Sequence, residues 1–250
     1  MAGEGCAEPA AGTSDLAVRL RVTDAVCAAF PGLLIGAVVA GGFRGAGGWP
    51  EVEARLAALE AAAGTLPAAE DDPHIASWYA AYRAFGTNPG RQRPSVAALR
   101  RRLARSGRLP RINPAVDCYN LVSAAHAVPA GAFDLGTVAG DITVGFAAGD
   151  EEFTPLGEPG TVEHPRPGEV IYADAKGVLT RHWNHRDAER AKVTPGSSRI
   201  VFLLETTDAP AFGSGVAAAA GDLAALLRTR SASVVTHWVT PASPEASLQG

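Results

Sequence analysis

The densest group of chemically capable side chains in this 250-residue sequence runs from Trp183 to Lys192, W-N-H-R-D-A-E-R-A-K. Loops that close a ligand pocket concentrate such groups, because a few fixed donors and acceptors beside an apolar wall orient what binds. Trp183, Asn184, His185, Arg186 and Asp187 are candidate pocket residues on that ground. A solvated loop held by its own salt bridges is the other reading of the same composition. His182 and His185 stand three apart with Asp187 and Glu189 close by, enough donors for a metal. On a strand-to-loop segment they do not converge as helical ligands four apart do, so neither a metal nor a cofactor is expected. Other signatures are missing: there is no GxxxxGK[ST] and no GxSxG, and the glycines of GGFRGAGG are out of order for a dinucleotide fingerprint.

Charge forms a second concentration. Between Asp72 and Asp117 there is no carboxylate, yet nine of the twenty arginines fall there; from Asp134 to Asp174 nine carboxylates face only Arg166. A chain of net charge -4 with one cationic stretch suits a polyanionic partner touching one face, or else a solvated helix face. Arg101, Arg105 and Arg108 follow a four-three spacing that places them on the outer side of a helix, with Arg91 and Arg93 just ahead of it.

These groups need elements to position them. With 47% apolar residues the chain is long enough to bury a sizeable core without disulfides or metals. Its three cysteines, Cys6, Cys27 and Cys118, have no regular spacing, as expected of a reducing, cytoplasmic setting. The first ten residues carry no positive charge and no apolar run, so no secretory signal is expected, and no apolar stretch suggests a membrane partner. Residues 1–12 and 234–250 are expected to be tails. Residues 13–110 read as mostly helical with one buried strand at 33–40. Helices are expected from Pro50 to Ala63, from Pro73, and from Pro94 to Gly107 with Val96, Leu99 and Leu103 inward. Asn113 caps a further helix that carries Asn120. After residue 130 the period falls from near four to two: DITVGFA is a half-buried strand, and EVIYA and VLTRHW form a hairpin across Asp174-Ala175-Lys176-Gly177. RIVFLLE at 199–205 is a continuous apolar strand, followed by an Ala- and Leu-rich helix within 208–233. The whole is one α+β domain.

INPAVDCYN at 112–120, the stretch from Pro129 through AFDLGTVAGDITVGFA, FTPLG at 153–157, VIYAD at 170–174 and RIVFLLE resemble, in order, the B3/B4 domain of the phenylalanyl-tRNA synthetase β subunit. That module removes tyrosine wrongly attached to its tRNA. WYAAYRAFGTNP and HWNHRDAERAKVT look like the free-standing proteins built around it. The resemblance implies a B3/B4-like α+β fold with a mixed sheet, a core at 111–207 and a largely helical N-terminal extension. It also implies a tRNA or aminoacyl-tRNA partner, with hydrolysis of a mischarged tRNA in trans. Glu205 matches the glutamate that recognises the phenol hydroxyl of tyrosine, and Asn120 an asparagine of the same motif. Gly131 stands where the editing synthetases carry a histidine. On this reading Asn120, Gly131, Glu205 and the residues 183–187 form the pocket, and Arg91, Arg93, Arg101, Arg105 and Arg108 contact RNA. A non-catalytic binder of a free amino acid or small aromatic metabolite is the alternative.

Overall fold

The computed structural model describes residues 18–250. Cys6 and the expected tail at 1–12 lie outside them. Two sheets and a helical layer are stacked in three tiers. The first sheet is antiparallel, with β2 (Leu34–Gly41), β3 (Ala130–Asp134), β8 (Arg199–Thr206) and β9 (Ser233–Val239) in the order β3-β8-β2-β9. The second is mixed. It joins β1 (Arg19–Val22), β4 (Ile142–Phe146), β5 (Val170–Asp174), β6 (Gly177–Arg181), β7 (Arg186–Asp187) and β10 (Glu245–Ser247) in the order β10-β1-β4-β5-β6-β7. Its one parallel pair is β1 with β4.

The continuous apolar run 199–205 is explained by this layering. Ile200, Phe202 and Leu204 face the helices, while Val201 and Leu203 face the second sheet, so neither face of β8 meets water. The helical layer consists of α2 (Pro50–Ala61), α5 (Pro114–His126) and α6 (Ala209–Arg228), packed on β2, β3 and β8. By length and composition α6 is apolar enough to cross a membrane, yet Val216, Ala219, Ala220 and Leu223 pack into this core. α1 (Asp24–Ala29) and α3 (Pro73–Ala84) bury Val26, Trp78, Ala81 and Tyr82 in the core between the two sheets, while α4 (Ser95–Ser106) packs beside α5 and adds Leu103 to the core of the helical layer.

Two expectations are corrected. The end of the chain, 234–250, is no tail: β9 pairs with β2 along its whole length and β10 closes on β1. Its signal was weak because SVVTHWV lies on a sheet edge and mixes apolar with polar residues. Residues 13–110 also hold a second strand, β1, besides the expected one at 33–40. Four residues with alternate burial are too short a run to stand out as a strand.

Candidate functional site

A hollow of ≈ 330 Å³ opens between the two sheets near α4 and α5, within the range of roughly 300–1,000 Å³ that small-molecule sites occupy. Seven of the eight expected pocket residues border it: Asn120, Gly131, Trp183, Asn184, His185, Asp187 and Glu205. The eighth, Arg186, does not. Its side chain lies on the far side of the turn after β6, 2.6 Å from Glu158 and 3.6 Å from Glu163, where neighbouring carboxylates draw it.

Strand parity explains how Glu205 arrives. It shares a face with Val201 and Leu203, so β8 carries a carboxyl into the space between the sheets. The side chain forms the floor of the hollow, 2% exposed. Tyr172 donates its hydroxyl to Glu205 Oε2 at 2.8 Å and Trp183 donates its indole N–H to the same oxygen at 2.5 Å. Neither reaches Oε1. Burial pushes the carboxyl up to about 7 against these hydrogen bonds, so both protonation states are accessible near neutrality.

Gly131 on β3 pairs with Leu203 and looks onto the same space. A Cβ placed there meets nothing within 4 Å, so the position is open rather than filled by a neighbour. Asn120 is positioned by α5, whose N-cap Asn113 accepts from the Val116 N–H at 3.0 Å and whose first turn begins at Pro114.

The tetrapeptide His182–His185 forms the turn between β6 and β7, and it ends β6 earlier than the expected VLTRHW strand. His182 (φ 47°) and Trp183 (φ 65°) are both left-handed, an arrangement non-glycine residues seldom adopt. Trp183, fully buried, lies edge-on to Phe30 and Trp78. Asn184 Oδ1 accepts from the Tyr82 hydroxyl at 2.8 Å, which fixes the amide so that Nδ2 is a donor; Nδ2 is buried and turned toward the Glu205 carboxyl, whose charged form it favours. Ser95 Oγ, on α4 at the same hollow, is buried without a hydrogen-bond partner. Buried polar groups in native proteins are rarely left in this state.

His185 Nδ1 lies 2.8 Å from the Arg93 carbonyl. A carbonyl only accepts, so Nδ1 carries the proton, and burial lowers the imidazole pKa. In the neutral ring Nε2 therefore holds a free lone pair. Asp187 accepts from the Thr180 hydroxyl at 2.7 Å, and burial raises its carboxyl to about 6.

The arginines separate. Arg101, Arg105 and Arg108 are exposed, Arg101 paired with Glu70. Arg91 is exposed on the opposite side of the 182–185 turn. Arg93 is half-buried and serves His185 through its carbonyl. Arg100 turns inward and donates to the carbonyls of Ala124 and Pro67 at 2.9 and 3.0 Å. Arg102, which the spacing argument passed over, borders the hollow.

Residues 77–239 match the family model for the B3/4 domain. The chain belongs to the B3/4 domain family. The matched region takes in most of α3, all of α4 and the hollow, starting well ahead of the expected boundary at 111. No curated protein matches the chain. Among solved structures, this B3/4 protein is similar to an N-terminal fragment of the phenylalanyl-tRNA synthetase beta-subunit from Pyrococcus horikoshii, at 14% identity and a TM-score of 0.40. The match covers 82% of this chain and 48% of that one, so the chain spans about half the length of that fragment.

Besides the expected residues, the hollow of this B3/4 domain is lined by Tyr172, Thr180, Ser95 and Arg102, and Tyr82 stands behind it, bonded to Asn184. Tyr172 was discoverable. In EVIYA it shares the inward parity of Val170, and a tyrosine on a buried face needs a partner for its hydroxyl.

Proposed function

We propose that this B3/4 protein binds the acceptor end of a tRNA and hydrolyses a wrongly attached amino acid in trans. The observation that supports this reading most is that one helix serves two surfaces: α4 lends Ser95, Leu99 and Arg102 to the hollow and turns Arg101 and Arg105 to solvent. The amino-acid side chain enters between the sheets, where Glu205 Oε1 meets a polar group on it. Asn120 and Asn184 hold the α-amino and carbonyl groups.

The bond to be cleaved is the ester between the amino-acid carbonyl and a ribose hydroxyl of the terminal adenosine. Such an ester is already activated, and fixing a water against its carbonyl supplies much of the rate. His185 Nε2 takes a proton as that water attacks, and returns it to the ribose oxygen as the C–O bond breaks. The products are a free amino acid and uncharged tRNA. With Gly131 in place of histidine, this work falls to the turn residues.

The test is deacylation of a panel of mischarged tRNAs by the intact protein. Loss of ester well above background from at least one member, abolished in His185→Ala, is the expected result. No loss above background across the panel overturns the proposal. If a free amino acid raises the melting temperature under those conditions, the domain is a binder instead.

A further inference from the structure

The 182–185 turn has a hollow on each side. The second, of ≈ 310 Å³, is lined by Arg91, Arg166, Arg181, Arg186 and His182, and shares His185 with the first. Its charges are unequal in availability. Glu169, 2% exposed, receives Arg181 Nε at 3.0 Å and Nη2 at 2.9 Å together with the His182 N–H at 3.0 Å. The remaining Arg181 nitrogen reaches Glu163 at 2.7 Å, and Arg186 is held by Glu158 at 2.6 Å. The local carboxylates are therefore saturated. Arg91 and Arg166 are exposed at this hollow, and no carboxylate pairs with either among the described residues.

The turn itself is a fixed partition. His182 Nδ1 lies 2.9 Å from Thr87 Oγ1 on one side, and Trp183 donates to Glu205 on the other, which holds two consecutive left-handed residues in place. A ligand that reaches both hollows passes His185. Such a ligand places an organic group beside Glu205 in the first hollow and an anion beside Arg91 and Arg166 in the second.

We propose that the second hollow is a phosphate subsite, in which Arg91 and Arg166 hold the 5′ phosphate of the adenosine whose acyl group lies in the first hollow. This rests on the reading of the first hollow as the aminoacyl site and deepens it. Guanidinium groups suit the task because they keep their charge and present paired donors to phosphate oxygens. The chemistry is shared by the phosphodiester of an RNA end and by a free nucleotide, and the experiment separates the two.

Binding of adenosine, adenosine 5′-monophosphate and the trinucleotide CCA to the full chain is compared by calorimetry, for the native protein and the double variant Arg91→Ala/Arg166→Ala. Both side chains are exposed, so the fold is retained. The native protein is expected to bind the monophosphate about tenfold more tightly than adenosine, the worth of one charge-assisted contact, with the advantage lost in the variant and reduced by salt. CCA binding at least as tightly as the monophosphate assigns the subsite to an RNA end; a clear preference for the monophosphate assigns it to a free nucleotide. Equal binding of adenosine and its monophosphate, or an advantage that survives in the variant, overturns the subsite. Deacylation failing while the phosphate advantage persists removes the editing reading and leaves the subsite standing, so the two failures are distinguishable.

Discussion

Because burial lifts the Glu205 carboxyl from 4.5 in the unfolded chain to about 7, the folded protein holds a proton there that the unfolded chain releases. Its contribution to stability is therefore complete below about pH 4.5 and lost as pH rises through 7. His182 works in the opposite sense: burial lowers it from 6.5 to about 4, so its contribution is lost as pH falls through that window. A total stability profile mixes the two, and the difference between the native protein and Glu205→Gln isolates one. Urea denaturation at several pH values is expected to show that difference becoming less favourable to the native protein between pH 5 and pH 8; a flat or rising difference contradicts the assignment. Gly131→His is a second test at this scale. The added side chain meets open space from an ordinary strand position, so stability is expected to change by less than about 1 kcal/mol. Deacylation of a tyrosyl ester is expected to rise; unfolding of the variant contradicts the open position. Much of this site was legible in residue types, because W-N-H-R-D crowds polar groups beside a tryptophan. What was not legible is which way each points: Arg186 belongs to the same cluster, yet on β7 it alternates with Asp187 and so faces the other hollow.

At the scale of elements, α4 shows how a run of arginines divides its labour. Helical spacing correctly turned Arg101 and Arg105 outward and Val96 and Leu103 inward, but it gave no sign that Arg100 would be buried, since burial of an arginine depends on carbonyls supplied by other segments. Arg100→Ala leaves the Ala124 and Pro67 carbonyls without their donor, at an expected cost of about 2–3 kcal/mol. Arg101→Ala breaks only an exposed pair with Glu70 and is expected to change stability by less than about 1 kcal/mol. Chemical denaturation of the two variants checks this contrast, and equal losses would contradict it. The cap at Asn113 and the glycine stop at Gly107, φ 66°, were readable because each rests on local backbone chemistry. The short strands β1 and β7 were not, because their identity lies in their partners.

For the whole molecule, the three-tier stack makes the last residues part of the fold. Removing residues 233–250 strips β9 from β2 and β10 from β1, and a chain ending at Ala232 is expected to lose its cooperative thermal transition; a retained sharp melt contradicts that role. The same stack sets the hollow between two sheets and next to the helix that bears the arginines, which is the arrangement the proposed activity requires. The most direct test is the affinity of the intact protein for a tRNA acceptor minihelix carrying a non-hydrolysable aminoacyl amide, against the same minihelix uncharged, over a range of salt. Arg101→Glu/Arg105→Glu is expected to weaken both and flatten the salt dependence, while Glu205→Ala removes only the preference for the charged form. Equal affinity for charged and uncharged RNA in the native protein, or binding that the charge reversal leaves untouched, contradicts the account.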